Sequence, residues 1–389
     1  MGFDALGKCR ALPTSHKRRG VRIGRFVCSG DMIPPSEPIT GSPPTINEEW
    51  ADSWLPHLEE LAERLRLCAR RTMSDAIDGS DLGSVSRPVS VGAGDTTFGI
   101  DAAAEAELGD WFEQRARLAP LSVLTEDAGW RHQGPDGAGG TRDLPGFDHG
   151  GPRICVDPVD GTRHLMLDHR AAWAVIALAG PGEDMPHQRD ALAACIQELP
   201  DSRARVARRL SARRGMGTEL AEMDVSSGKI LRSHPLRADE DNRLDHGYLP
   251  FFAFHPDLRE EVARLAFVFF ARIEKEESAE LAHCYDDQYI CNAGQMALTA
   301  LGTYRMIVDP RQFIADRLGL HSQTTKPYDV AGAILCVEEA GASITSLAGT
   351  ELDFPWDVET PLSFAAFANR ATRDRALPHL LAALEQYRP

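Results

Sequence analysis

Four features are missing from this 389-residue sequence, and each absence narrows what the chain can be. No apolar run reaches the roughly 18 residues needed to cross a bilayer, so no membrane span is expected. The eight cysteines are scattered from Cys9 to Cys336 and include no Cys-x-x-Cys pair. That spread disfavours a zinc site or a disulfide framework and fits reduced, mostly buried thiols in a cytoplasmic protein. There is no surplus of basic residues. The formal net charge of −16 argues against nucleic acid or an anionic membrane as the main partner. Finally, no internal repeat is present, which excludes solenoids and propellers. The acidity does not exclude a phosphorylated substrate, because a bound divalent cation reverses the local sign.

What is present is ordinary globular material, long enough for a well-buried core and two subdomains. Residues 1–47 stand apart. Lys8, Arg10, Lys17, Arg18, Arg19, Arg22 and Arg25 face only Asp4 among acids before Asp31, and a Pro-, Ser- and Thr-rich stretch follows. A basic, acid-poor start can be a transit peptide. The reading here is a disordered basic tail or a start assigned too far upstream, and it is left out of the fold.

From residue 48 to about 75, Trp54, Leu58, Leu61, Leu65 and Cys68 recur at helical spacing. Residues 84–98 are β-like and include Gly92-Ala93-Gly94-Asp95. A second helix is expected from about 102 to 117, with Ala103, Ala106, Leu108 and Trp111 on its buried side. Short strands are expected at 121–124, 171–179, 192–196, 206–210, 229–232, 305–308 and 362–367. Further helices are expected over 257–272, 295–305, 329–341 and 374–387. Residues 132–152, with seven glycines and no periodicity, read as a surface loop.

The chain is organised around Cys155-Val156-Asp157-Pro158-Val159-Asp160-Gly161-Thr162-Arg163. Ile154, Cys155 and Val156 suit the end of a buried strand. Pro158 cannot extend a ladder and forces a turn, and Gly161 permits a tight bend and close approach to a ligand. Asp157 and Asp160 would then share one turn with the Gly161 and Thr162 N–H groups, a set suited to a hard cation holding a phosphate. A lone Asp-Pro-x-Asp-Gly is equally an ordinary surface turn. Three more acids sit where a regular element meets a loop: Asp101, Glu126 and Asp329. Taken singly, Asp329 is a helix N-cap and the other two are surface acids.

Taken in order, these stretches resemble the inositol monophosphatase family of Mg²⁺-dependent, lithium-sensitive phosphatases. The family has an acidic pair after a strand, then Asp-Pro-Ile/Leu/Val-Asp-Gly-Thr/Ser, then Trp-Asp opening a small-residue helix that ends Glu-Ala-Gly-Gly. Here they read Thr125-Glu126-Asp127, Asp157-Pro158-Val159-Asp160-Gly161-Thr162, and Tyr328-Asp329 through Glu338-Glu339-Ala340-Gly341-Ala342. The resemblance runs from Glu48 to the C-terminus. Asp127 replaces the usual second Glu and Tyr328 the usual Trp. The interval from the central motif to Asp329 is longer than usual, with an extension between residues 184 and 283.

The resemblance implies an α+β fold, a layered α-β-α-β-α sandwich. Its first half (48–235), with a mainly antiparallel sheet and most metal ligands, would pack on a second half (236–389) with a smaller mixed sheet and Asp329. It implies two or three Mg²⁺ ions. Glu126, Asp157 and the Val159 carbonyl would hold one; Asp157, Asp160 and Asp329 would hold a second. Asp101 and the Thr162 hydroxyl would orient and deprotonate a metal-bound water, and the Gly161 and Thr162 N–H groups would bind phosphate. The expected partner is a small phosphorylated substrate such as an inositol, polyol or sugar phosphate; nucleic acid and membrane are not expected, and a homodimer is compatible. Fructose bisphosphatase, phosphoadenosine nucleotidase and histidinol phosphatase activities remain open, as does a catalytically silent binding relative. A haloacid dehalogenase-type phosphatase is excluded, because its nucleophile would fall on Pro158.

Overall fold

The computed structural model describes residues 46–91 and 96–387, all within one compact unit. Residues 1–45 of the basic tail and residues 92–95 of the β-like segment lie outside them, while residues 46–47 of that tail belong to the first helix. The described chain opens with α1 (Ile46–Asp78), in which Leu58, Leu61 and Leu65 form a fully buried stripe. A short helix, α2 (Leu82–Ser86), leads to a small antiparallel pair, β1 (Pro88–Val91) and β2 (Thr96–Phe98). In α3 (Gly99–Ala116) the buried stripe runs through Ile100, Ala104, Leu108, Trp111 and Phe112. Of the alanines expected there, Ala106 is instead exposed.

A nine-stranded sheet follows. Its strands are β3 (Leu121–Thr125), β4 (Gly129–Pro135), β5 (Thr141–Asp143), β6 (Arg153–Asp160), β7 (Ala172–Ala179), β8 (Ala191–Leu199), β9 (Val206–Arg213), β10 (Gly217–Asp224) and β11 (Ile230–Leu236). The spatial order is β11-β10-β9-β8-β7-β6-β3-β4-β5, antiparallel throughout except for the β3–β6 pair. The four-residue α4 (Thr162–Leu165) joins β6 to β7. β7 reads Ala-Trp-Ala-Val-Ile-Ala-Leu-Ala and is buried along its whole length, as a strand covered on both faces must be.

The remaining elements are β12 (Gly247–Tyr248), α5 (Arg259–Glu277), β13 (Cys284–Tyr285), α6 (Asn292–Ala300), β14 (Met306–Asp309), α7 (Arg311–Leu318), α8 (Pro327–Glu339), β15 (Ser343–Ser346), β16 (Phe364–Phe367) and α9 (Arg370–Gln386). β14, β16 and β15 form a three-stranded antiparallel sheet, and a parallel bridge from Phe251 to Val308 makes its edge mixed. α1 and α3 cover one face of the large sheet. α6 and α8 lie between the large sheet and the small one, and α9, paired with α5, packs beyond the small sheet. The result is an α-β-α-β-α sandwich with three apolar cores between its layers.

Several sequence expectations need correcting. Residues 132–152 are not all loop: β4 and β5 form a hairpin whose polar strands lie at the sheet edge. β10 was not expected at all. The strand carrying Asp157 does not stop there; it runs on to Asp160, and Pro158 is absorbed by a bulge where the register with β7 shifts. The helix expected over 295–305 begins at Asn292 and ends at Ala300, and α7 was not foreseen. Asp329 is not an N-cap but the third residue of α8.

α8 sits against β7 without a side chain between them at Gly332. A Cβ there would lie 2.5 Å from the Ile176 carbonyl oxygen, and neither backbone can give way cheaply. Gly332→Ala should therefore destabilise the protein by about 1–3 kcal/mol despite alanine's better helix propensity. Urea unfolding checks this; a stabilised variant would mean the helix is free to shift.

Candidate active site

The bulge in β6 gathers the motif residues. Asp157 and Asp160 are 6% and 8% exposed. Asp157 Oδ1 accepts the Val159 N–H at 2.9 Å. Asp160 Oδ2 accepts the Ala293 N–H at 2.5 Å and the Cys291 thiol at 3.3 Å, so the start of α6 is tied to the bulge. Gly161 has a φ of 98°, and a Cβ on it would lie 2.8 Å from the Cys291 Cβ. Both the backbone conformation and the space thus require glycine here.

Thr162 follows at the start of α4. Its hydroxyl lies 2.6 Å from Asp101 Oδ1 and 2.9 Å from the Val159 carbonyl, and its single proton serves one of them at a time. Asp101 is the third residue of α3, where its Oδ2 accepts the Phe98 N–H at 2.9 Å. Asp329 has the same relation to α8, with its Oδ2 accepting the Lys326 N–H at 2.8 Å. In both, one carboxylate oxygen caps the helix and the other is left for different work. Glu126, exposed just past the end of β3, is hydrogen-bonded by the Tyr328 hydroxyl.

The electrostatics link these acids. Burial holds the Asp157 carboxyl well above its usual range, and Asp160, Asp329 and Glu126 push it further. Burial raises Asp160 to about 6, against the opposing pull of the Ala293 N–H and the Cys291 thiol. Asp329 is raised by burial, then by Asp160 and Glu126, while Arg311 lowers it. Among the described residues no three His, Cys, Asp or Glu side chains are closed into a ready metal cage. The acids repel one another at a distance. Their chemistry nonetheless fits a hard divalent cation: oxygen donors of one sign, mostly buried, with too little positive charge beside them.

A cleft opens beside the bulge. Its wall includes Asp101, Glu126, Asp157, Val159 and Thr162, while Asp160 and Asp329 are not part of that wall. It also includes residues to which the sequence assigned no role. Glu105, one turn beyond Asp101 on α3, has its carboxyl raised to about 7, by burial first and then by Asp127. The i, i+4 spacing from Asp101 was the available signal. Asp127 accepts the Thr97 hydroxyl at 3.2 Å. Arg163 is stacked between Phe98 and Phe254, 5.8 and 5.2 Å from their centroids.

No protein-family model matches the chain, and no curated protein matches its sequence. Solved structures do match. The extragenic suppressor protein SuhB of Bartonella henselae is 17% identical, with a TM-score of 0.56 over 86% of this chain and 99% of that one. A hypothetical protein of Pyrococcus horikoshii, with similarities for inositol-1 monophosphatase, is 14% identical, with a TM-score of 0.55 over 86% and 98%. The inositol monophosphatase of Anabaena (Nostoc) is 16% identical, with a TM-score of 0.53 over 87% and 97%. At these identities the likeness is one of backbone. The α-β-α-β-α sandwich of this chain is the inositol monophosphatase fold.

Proposed function

We propose that this protein is a Mg²⁺-dependent phosphomonoesterase acting on a small polyol, inositol or sugar phosphate. The observation that carries the proposal is the electrostatic coupling of Asp157 to Asp160, Asp329 and Glu126 at the β6 bulge, beside a Thr162 hydroxyl bonded to Asp101. The shared fold supports it, since the Anabaena neighbour is an inositol monophosphatase.

Glu126, Asp157 and the Val159 carbonyl, together with Asp160 and Asp329, are the groups that would hold the ions. When bound, Mg²⁺ supplies positive charge for the phosphoryl oxygens and lowers the pKa of water. With the Thr162 proton on Asp101, the Val159 carbonyl keeps its lone pairs for such a role. Thr162, by donating to Asp101, turns its own lone pairs toward the cleft, where they orient an attacking water. Asp101 is fixed by its capping bond to Phe98 and can take up the proton passed through that hydroxyl. Gly161 lets the backbone approach the phosphate closely.

Replacing Asp157 with Asn should abolish most turnover and any Mg²⁺-induced stabilisation, yet raise the melting temperature of the ion-free protein. Near-normal turnover would overturn the assignment. The pH dependence follows from the same repulsion. Asp160 is raised from 3.8 to about 6 in the folded state, so the folded protein binds more protons than the unfolded chain in that window. Stability without metal should therefore fall as pH rises from about 4 to about 6, and Mg²⁺ should flatten the profile; urea midpoints in EDTA and in Mg²⁺ test this.

Thr162→Ala should lower kcat by about 100-fold or more while leaving Mg²⁺ affinity nearly unchanged. Weaker metal binding with normal kcat would make the hydroxyl structural.

Substrate preference should lie away from inositol monophosphate. Inositol-specific proteins of the family resembled here place a Glu seven residues before the Asp at the start of the last motif; that position is Ser322. Asp316, the alternative acceptor, is exposed on α7 and bonded to Gln312, which counts against its filling that role. Asp309, the other acid of that stretch, is taken up by Arg311. A site lacking the acceptor for a hydroxyl loses discrimination for it. Comparing kcat/KM across inositol, polyol and sugar phosphates should put inositol monophosphate behind another substrate.

A further inference from the structure

A second buried cluster lies behind the carboxylates, and the proposed chemistry does not use it. β14 ends in Asp309, fully buried, and α7 opens with Arg311, 4% exposed. The guanidinium forks the carboxylate, Nε–H to Oδ1 at 2.9 Å and an Nη2–H to Oδ2 at 2.7 Å. Its other donors go to the loop after α7: Nη1 to the Gln323 carbonyl at 3.0 Å and Nη2 to the Thr325 hydroxyl at 2.7 Å. That hydroxyl lies 2.7 Å from Asp309 Oδ2 and 3.1 Å from Asn292 Oδ1. The rings of Phe252 and Phe254 cover the guanidinium, with centroids 4.5 and 5.6 Å away. Phe254 holds a φ of 51°, a conformation that bulky residues rarely adopt and that the surroundings must impose.

Both ends of this network abut the site. Asn292 is the residue before Ala293, whose N–H bonds Asp160. Thr325 is the residue before Lys326, whose N–H is held by Asp329. One hydroxyl, held by the fork, thus lies between the start of α6 and the start of α8, its single proton serving Asp309 or Asn292 in turn. A buried ion pair adds little stability over apolar packing of the same volume, so stability alone does not account for a buried Arg–Asp–Thr–Asn cluster here.

We propose that Arg311, with Asp309 and Thr325, is a positioning group for the candidate metal centre. It braces the starts of α6 and α8 so that Asp160 and Asp329 stay at a separation fit for one divalent cation. This rests on the phosphatase reading, and it adds residues that touch neither substrate nor cation.

The test uses the full chain and Mn²⁺ alone as probe, followed by calorimetric titration and by amide exchange over residues 289–294. Arg311→Lys keeps the charge but loses the fork; Thr325→Val conserves volume but removes the bridge to Asn292. Arg305→Lys is the control. Arg305 is equally buried, bonded to Asp239 at 2.6 Å, and lies at the opposite end of β14. The expected result is Mn²⁺ affinity weakened about tenfold or more in both test variants, as for other partners of metal ligands. Amide exchange at Ala293 should be faster in both, and neither change should appear in the control. If the test variants lose stability as Arg305→Lys does but bind Mn²⁺ like wild type, the brace is merely structural and the proposal fails. Should Arg311→Lys not fold, Thr325→Val decides the matter alone. A wild-type protein that takes up no Mn²⁺ overturns the metal reading and the proposal together, whereas unchanged binding in the variants overturns the proposal only.

Discussion

Carboxylates brought together out of water raise one another's pKa until a positive partner or a proton arrives, and the end of β6 is built around that conflict. Asp157 and Asp160 come from the strand, Glu126 from just past the end of the strand beside it, and Asp329 from a helix across the sheet. The fold relieves part of the strain with helix ends. α3 and α8 present Asp101 and Asp329 in their first turns, and α6 presents the Ala293 N–H to Asp160. Three helix N-termini thus face one bulge, each carrying partial positive charge. Partial charges from backbone dipoles do not neutralise several full ones, and that remainder is what gives a divalent cation its place in the proposed chemistry.

The layered architecture follows from the same requirement. Asp157 can be buried because β7, apolar and fully covered, flanks its strand. α8 can deliver Asp329 because Gly332 lets the helix lie directly on β7. α6 delivers its N–H because Cys291, whose thiol burial keeps protonated, both caps that helix and donates to Asp160. Packing at the sheet surface and charge at the bulge are therefore set by overlapping residues. The small sheet contributes more remotely, through Asp309 at the end of β14 and the arginine that follows it.

How far this was legible from the sequence depended on whether local chemistry carried the information. Pro158 and Gly161 restrict the backbone severely, so the central motif announced a special turn, although the bulge that lets the strand continue could not be read from it. The α8 pattern ended at Gly341, whose φ of 91° is what a helix stop requires. β10 was missed because Glu219, Ala221 and Glu222 are poor strand formers, and only pairing with β9 and β11 makes them one. The β4–β5 hairpin was hidden by its glycines and its edge position. α7 is eight residues long, too short for periodicity to separate it from loop. Arg311, Asn292 and Thr325 meet only in three dimensions, and no spacing between positions 292, 311 and 325 could have joined them.

The two helix-borne aspartates show how fold and site share a residue without competing for it. Asp101 and Asp329 each use Oδ2 to accept the N–H at the start of their own helix, and that bond needs only an oxygen acceptor. The other oxygen of Asp101 reaches Thr162 across 61 positions of sequence, so its placement is inherited from the cap rather than from the loop around it. A glutamate would carry the same charge one methylene too far to make both bonds. An asparagine could keep the cap while losing the charge, which separates the helix's need from the site's. Aspartate at the third helical position is thus the residue type that satisfies both, and it fixes the carboxylate's direction before any ligand is bound.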